Sequence, residues 1–117
     1  MALSPEFRDY VLELLDPVQP FMLRPMFGGA GLFVDGKMFG LISRSDALYL
    51  KTDEQNRAEF EALDSEPHYG LRAYWLAPAD LLEDPDRLCE LALGAIAVSR
   101  RSPDKPKKKS KKKAQAS

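Results

Sequence analysis

Few residues of this sequence have the types and spacing that catalysis or metal binding requires. His68 is the only histidine, so a Ser-His-Asp triad or a histidine-based metal site would depend on that one residue. Its place beside Pro67 indicates a histidine of a loop or an edge strand. Four carboxylates cluster before the last predicted helix: Asp80, Glu83, Asp84 and Asp86. Helix capping and solvated turns explain them better than a metal site does. The pattern predicts a protein that is not an enzyme, with no catalytic residues, no metal ion and no cofactor.

The glycine-rich segment GGAG at 28–31 could approach a phosphate group with its backbone. If a dinucleotide-binding fingerprint started at Gly29, its third glycine would fall on Val34. A hairpin follows this segment where that fingerprint requires a helix. The segment also lacks the Gly-Lys-Ser/Thr ending of a phosphate-binding loop. We therefore expect no nucleotide site here.

The length and composition are those of one small domain. The chain has 117 residues, of which 44% are hydrophobic, and a mean hydropathy of −0.35. No apolar run approaches the roughly 18 residues of a membrane span, and the N-terminal segment lacks the apolar stretch of a signal peptide. Cys89 is the only cysteine, and its place on a predicted helix favours a small buried hydrophobe over a redox centre. These features predict a cytoplasmic protein.

The formal net charge of −1 hides an asymmetry between two parts of the chain. Residues 1–101 contain 10 Lys and Arg against 17 Asp and Glu, a charge of −7, whereas residues 102–117 contain seven lysines against Asp104, a charge of +6. We predict a folded domain at 1–101 and a disordered lysine-rich tail at 102–117, because the second part has almost nothing apolar to bury. The lysines of the tail are Lys105, Lys107, Lys108, Lys109, Lys111, Lys112 and Lys113. One interpretation is weak, sequence-independent contact with nucleic-acid phosphates, and the other is a solubilising extension.

The segment from Arg24 to Lys51 predicts a β-meander from its turn residues. Asp35-Gly36 lies between two apolar runs, as a two-residue hairpin turn with positive φ at both positions requires. That turn predicts these opposite pairs: Val34–Lys37, Phe33–Met38, Leu32–Phe39 and Gly31–Gly40. A second turn at 43–46 predicts three more pairs: Leu41–Leu48, Gly40–Tyr49 and Phe39–Leu50.

Paired residues share a face of a sheet, so this register assigns each side chain to one of two faces. The predicted core face carries Leu32, Val34, Phe39, Leu41, Leu48 and Leu50. The second face carries Phe33, Met38, Ile42 and Tyr49, with the Tyr49 ring expected over a Gly31–Gly40 pair. This face is too apolar for solvent, so we predict that it binds a protein partner or a second copy in a homodimer. The alternative is that the last helix or residues 76–82 cover it.

The rest of the sequence predicts helices around this meander. Helices are predicted over 5–15, over 54–63 and from 84 onward, with an extended piece at 67–69 and a strand at 71–76. Ser4 and Asp53 are the predicted caps of the first two helices. The predicted core consists of Phe7, Val11, Leu14, Leu32, Val34, Phe39, Leu41, Leu48, Leu50, Leu88, Leu91 and Ile96.

Three segments of this chain resemble a known family in sequence and in order: MFGGAGLFVDGKMFGLI, ALYLKTD and RAYWLAP. The family is the N-terminal domain of the TfoX/Sxy competence regulators, and the resemblance covers about residues 4–100. The residues that carry it are Arg24, Met26, Phe27, Gly28, Gly29, Gly31, Asp35, Gly36, Leu48, Tyr49 and Lys51. Family regulators commonly carry a second, helical C-terminal domain. The resemblance to the N-terminal domain already covers the whole predicted folded part of this sequence, so we expect a stand-alone domain of the N-terminal type.

The resemblance implies a two-layer α+β fold, in which a five-stranded antiparallel sheet carries helices on one face in the order α-β-β-β-α-β-β-α. It also implies a non-enzymatic regulator or adaptor of DNA uptake that acts through contacts with a protein such as a transcription factor or polymerase. The alternative function is a general nucleic-acid-binding accessory protein whose tail is the active element. From the residues themselves, Arg24 is expected to bind loop carbonyls near Gly28 or a partner, and Lys51 to be an edge-strand charge.

Overall fold

The computed structural model describes residues 3–101, in which five antiparallel strands form one open sheet. The strands lie in chain order: β1 (Met22–Met26), β2 (Gly29–Val34), β3 (Lys37–Ile42), β4 (Leu48–Lys51) and β5 (Tyr74–Leu76). The helices are α1 (Pro5–Leu14), α2 (Arg57–Glu61), α3 (Ala79–Leu82) and α4 (Pro85–Arg101), with a 3-10 turn at Asp16–Val18. The predicted α+β fold with a five-stranded antiparallel sheet is therefore confirmed. The predicted lysine-rich tail lies outside the described residues.

The order of the elements differs from the implied one at the two outer strands. β1 precedes the predicted meander, so four strands rather than three come before α2. Its Pro25 has no N–H, which suits the edge position that β1 occupies. At the other edge, residues 67–69 provide only an isolated bridge between Pro67 and Trp75, instead of a full strand.

The helix starts follow from local capping. The Ser4 hydroxyl accepts a hydrogen bond from the Phe7 N–H at 3.1 Å, and Pro5 occupies the first turn of α1, as predicted. The second helix is shorter than predicted, because residues 54–56 form turns in which the Asp53 carboxylate accepts from the Gln55 N–H. Asp53 therefore caps this turn and not the helix itself.

One hydrophobic core joins the helices to one face of the sheet. Its fully buried members include Val11 and Leu15 near the end of α1, Phe60 of α2 and Leu88 of α4. The thiol of Cys89 donates to the Leu14 carbonyl at 3.3 Å, and its pKa is raised by burial and by the nearby Asp86. Most of the predicted core is buried, while Phe7 and Leu14 are only partly buried against it.

A β-bulge in β3 shifts the register that the two turns predicted. The pairs next to the Asp35-Gly36 turn are as predicted, Val34 with Lys37 and Phe33 with Met38. Beyond them the register slips by one residue, because Phe39 is an extra residue on β3. The observed pairs are Leu32–Gly40, Gly31–Leu41, Gly40–Leu50, Leu41–Tyr49 and Ile42–Leu48.

The bulge exchanges the faces of three residues relative to the prediction, and Gly40 now shares the core face with Leu32 and Leu50. Ile42 pairs with Leu48 and lies in the core with 1% of its surface exposed, so the prediction that it belongs to the second face is wrong. Leu41 pairs with Tyr49 and lies on the second face, although it is still buried. Phe39 itself stays in the core, where its ring meets the edge of the Phe21 ring at a centroid distance of 5.8 Å.

Candidate functional site: the open face of the sheet

The face of the sheet opposite the core is called the open face below. Strand alternation and pairing assign to it Met22, Arg24, Met26, Gly29, Gly31, Phe33, Met38, Leu41, Tyr49, Lys51, Tyr74 and Leu76. On this face Met22 is 56% exposed, and Phe33 and Met38 are half-buried. At the β1 edge, Met22 and Phe33 also line a groove with Leu93 and Ile96 of α4. Three of the four methionines of the chain lie on this face.

Gly31 makes the space in which the centre of the open face is packed. A Cβ atom at this position would lie 2.7 Å from the Met26 sulfur, 2.7 Å from the Phe33 ring and 3.0 Å from the Met38 sulfur. The Arg24 guanidinium lies over the Phe33 ring, 5.3 Å from its centroid. The prediction of a Tyr49 ring over a Gly31–Gly40 pair is wrong, because the bulge separates these glycines.

Two tyrosines lie on the β5 side of the open face, Tyr49 of β4 and Tyr74 of β5. The Tyr74 hydroxyl donates to the Met38 carbonyl at 3.2 Å, and burial raises the pKa of Tyr74 to about 12. Burial also raises the pKa of Tyr49, with a smaller contribution from Glu66. Both phenols therefore remain protonated at neutral pH and can donate hydrogen bonds.

His68 organises a loop that forms one wall of the open face. Its Nδ1 accepts hydrogen bonds from the N–H groups of Gly70 and Leu71, each at 3.0 Å. Its ring meets the Tyr49 ring edge-on at 4.9 Å and stacks on the Tyr69 ring at 4.7 Å. His68 is therefore the loop histidine that the sequence indicates, and it holds Tyr69 and Leu71 beside the sheet.

A groove of about 470 Å³ lies between this loop and the turns at residues 27–28 and 43–45. Its walls are mainly apolar, with polar groups from the 43–45 turn and His68. They consist of Met26, Phe27, Gly29, Ala30, Met38, Leu41, Ile42, Ser43, Arg44, Ser45, His68, Tyr69 and Leu71. The volume falls within the roughly 300–1,000 Å³ that is typical of ligand-binding clefts.

The groove is bordered by two aromatic residues, Phe27 and Tyr69, each with 89% of its surface exposed. Phe27 and Gly28 form the two-residue connection between β1 and β2, both with positive φ (52° and 80°). Asp35 and Gly36 occupy the equivalent connection between β2 and β3 with φ of 54° and 79°. Asp is a preferred residue at that position, whereas a bulky side chain there is strained.

The charge of the sheet is opposite to that of the domain. In the described part of the chain, the five strands contain three cationic residues, Arg24, Lys37 and Lys51, and no Asp or Glu. Arg44 adds a further cation to the groove wall. The negative charge of residues 1–101 is therefore carried by the helices, turns and loops.

The structure brings together three of the four residues predicted for an interaction surface, Phe33, Met38 and Tyr49. The expected bond from Arg24 to loop carbonyls is replaced by its contact with Phe33. Lys51 is not on an edge strand, because β5 pairs beyond β4. Sequence reasoning missed Phe27 and Tyr69 as wall residues, although a phenylalanine directly before Gly28 in a hairpin connection was a usable signal.

In residues 3–101, no group of three or more His, Cys, Asp or Glu side chains is placed to hold a metal ion. The described helices include none that is long and apolar enough to cross a membrane. The open face thus remains the most distinctive surface of the described domain.

The fold and this face define a small two-layer α+β domain whose antiparallel sheet presents an uncovered apolar surface with basic residues. The sequence model of the TfoX N-terminal domain matches residues 13–99, and the chain belongs to that family. The match includes all five strands and most of α4. A search of curated proteins found no match.

Proposed function

We propose that this protein is a non-enzymatic, cytoplasmic regulator or adaptor that acts by binding another protein on the open face. The observation that carries the proposal is the apolar groove bordered by two aromatic side chains that are each 89% exposed. Exposed aromatic residues at the border of an apolar cleft are typical of interaction surfaces. The family supports a regulatory role in DNA uptake, with a transcription factor as a suitable kind of partner.

The experiment compares affinity capture by the full chain and by the double variant Phe33→Glu/Met38→Lys. Tyr10→Ala is the matched control, because Tyr10 is an aromatic residue of α1 that is 41% exposed on the helical layer. We expect a protein that is retained by the parent and the control and lost with the double variant. The double variant should still unfold cooperatively, since both changed side chains lie outside the core.

Two results would contradict the proposal. Identical sets of captured proteins for the parent and the double variant would show that the open face is not the binding surface. Loss of cooperative unfolding in the double variant would show that Phe33 and Met38 stabilise the domain as interior residues. Circular dichroism during thermal unfolding distinguishes this second result from loss of binding.

A second candidate function is supported by the separation of charge along the sequence. The +6 segment at 102–117 could bind nucleic acid without sequence preference, while the −7 domain repels phosphate. Deleting residues 102–117 should then remove most affinity for duplex DNA, and the affinity of the full chain should fall steeply between about 50 and 200 mM salt. Sequence-specific binding by the truncated chain would contradict this function.

A further inference from the structure

We infer that the groove of the open face binds an amphipathic helix of a partner protein, with the apolar side of the helix in the groove and acidic residues beside it. The inference rests on the proposed function, because it names the chemistry of the partner at the same face. It follows from four features of the described residues: the sheet edges, the walls of the groove, its charge and its strained aromatic residue.

The sheet edges indicate that the partner does not bind by adding a strand. On β5, the outer edge is already used, because Leu76 N–H donates to the Glu66 carbonyl and His68 N–H donates to the Tyr74 carbonyl. On β1, Pro25 has no N–H to offer to an added strand. A strand added at β1 would lack the hydrogen bond at Pro25, so binding through side chains on the face of the sheet is favoured over strand addition.

The walls of the groove suit the apolar side of a helix. Met26 and Met38 have flexible, polarisable side chains that adapt to different partners. Phe27 and Tyr69 provide large exposed rings of the kind that dominate binding energy. An amphipathic helix presents apolar residues at i, i+3, i+4 and i+7, which form one stripe that such a groove can hold.

The charge of the site selects an acidic helix. Arg44 is the cationic residue among the groove walls, no carboxylate is among those walls, and Arg24 lies on the same face of the sheet. The chain's own tail is a poor occupant, because residues 102–117 are strongly basic and contain no apolar residue larger than proline or alanine. A second copy offers no apolar helix for the groove, since the described helices expose only Tyr10 and Leu93 as large apolar residues, on two different helices. Pairing of two open faces in a dimer is the competing arrangement that the sedimentation measurement below tests.

Phe27 indicates that this surface is retained for binding and not for folding. Its positive φ and its exposure both cost stability, while the neighbouring hairpin fills the same turn position with Asp35. Replacement of Phe27 by Asn keeps a residue that tolerates this conformation and removes the ring. Phe27→Asn therefore tests binding without disturbing the turn.

The test measures fluorescence anisotropy of a labelled synthetic peptide of about 18 residues, long enough to form a helix on binding. Leucines at helical spacing form its apolar side, and glutamates flank them. One control peptide has the same residues in scrambled order, and another has lysine in place of each glutamate. The full chain should bind the first peptide at least about tenfold more tightly than either control.

The protein variants place the peptide in the groove. Phe27→Asn and Tyr69→Ala should each weaken binding at least about tenfold, whereas Leu93→Ala should leave it unchanged. Equal binding of the scrambled or lysine peptide, or no effect of either groove variant, would overturn the inference. A dimer in sedimentation that Phe27→Asn dissociates would also overturn it, because the occupant would then be a second copy.

Failure of this inference can be distinguished from failure of the proposed function. If the parent chain ignores the peptide but still loses its captured protein in Phe33→Glu/Met38→Lys, the face binds a partner of another shape and only the inference is wrong. If the captured proteins do not depend on Phe33 and Met38, the proposed function is wrong, and the inference is rejected with it.

Discussion

The two faces of the sheet are built from the same five strands but bury their apolar side chains to different extents. On the core face, Leu32, Leu48 and Leu50 are fully buried beneath the helices. On the open face, Phe33 and Met38 are half-buried and Met22 is more than half exposed. Alternation along a strand normally gives one apolar and one polar face. The second face of this sheet departs from that rule, because it is apolar while Met22, Phe33 and Met38 remain partly exposed on it.

The two faces also differ in the types of side chain that pack on them. The core face joins Leu, Ile and Phe side chains to α4, which lies against β3 and β4. The open face relies on two methionine sulfurs and one aromatic ring above Gly31. Branched side chains in a core hold one arrangement, whereas methionines adjust to what they contact. One face is therefore suited to stability and the other to adaptation.

The largest expected difference between the faces comes from two phenylalanines. Phe39→Ala removes a fully buried ring from the core and should lower the free energy of unfolding by about 3–5 kcal/mol. Phe33→Ala removes a half-buried ring from the open face and should cost at most about 1.5 kcal/mol. Urea denaturation of both variants measures the difference. Equal costs would show that the open face is packed like an interior.

Two glycines of β2 provide the next test, because an added methyl group would meet different kinds of atoms. A Cβ at Gly29 would collide with the Ile42 backbone carbonyl, so Gly29→Ala should cost about 3 kcal/mol. A Cβ at Gly31 would press on the ends of Met26 and Met38 and on the Phe33 ring, which can move toward solvent. Gly31→Ala should therefore cost at most about 1 kcal/mol. Equal urea midpoints for the two variants would mean that the side chains of Met26, Met38 and Phe33 cannot move to accept the added methyl group.

The sequence predicts the fold where local rules act and fails where they do not. Asp35-Gly36 predicts its hairpin because few other residues tolerate positive φ at both positions. The bulge at Phe39 is not predictable, because the run from Met38 to Ile42 is apolar throughout except for Gly40. Such a run shows no alternation, so a one-residue slip changes the faces without changing the pattern.

The candidate site shows the same limit. Phe33 and Met38 can be assigned to the open face because they lie close to the turn that sets their register. Tyr69 cannot, because its place depends on the loop that His68 closes through Nδ1 and through its contact with Tyr49. The Nδ1 hydrogen bonds are local, but the ring contact joins Tyr49 and His68, which are far apart in the sequence, and no local pattern reports it.

At the border of the open face, a substitution is expected to raise the free energy of unfolding by a smaller amount instead of lowering it. Phe27→Asn should raise the free energy of unfolding by about 1 kcal/mol, since it removes a bulky residue from a left-handed conformation. Thermal unfolding measures the change, and Asp35→Asn at the equivalent turn position is the control that should change little. A less stable Phe27→Asn protein would show that the ring contributes to folding, which would weaken the distinction between the two faces.

The smallest expected effect on stability concerns the ion pair between Arg101 at the end of α4 and Asp53. Arg101, the last residue of α4, donates from Nε and Nη2 to the Asp53 carboxylate at 2.7 and 3.1 Å. This bond lowers the pKa of Asp53 below its usual value and raises that of Arg101. A carboxyl group with a lowered pKa stabilises the folded state above its unfolded pKa, and that contribution is lost as the pH falls through the lowered value.

Arg101→Gln should therefore lower the urea midpoint slightly at pH 7, and its difference from the parent should shrink as the pH falls below about 4, where an unfolded aspartate becomes protonated. High salt should reduce the same difference, because both side chains are partly exposed, 36% for Arg101 and 29% for Asp53. Arg100→Gln is the matched control, since the contact of Arg100 with Asp35 is longer, at 3.4 Å, and more exposed. A difference that stays constant from pH 7 to about pH 3 would mean that Arg101 acts on the helix end. The ion pair with Asp53 would then not be what stabilises the end of α4, and the contrast between the two faces would depend mainly on how deeply their apolar side chains are buried.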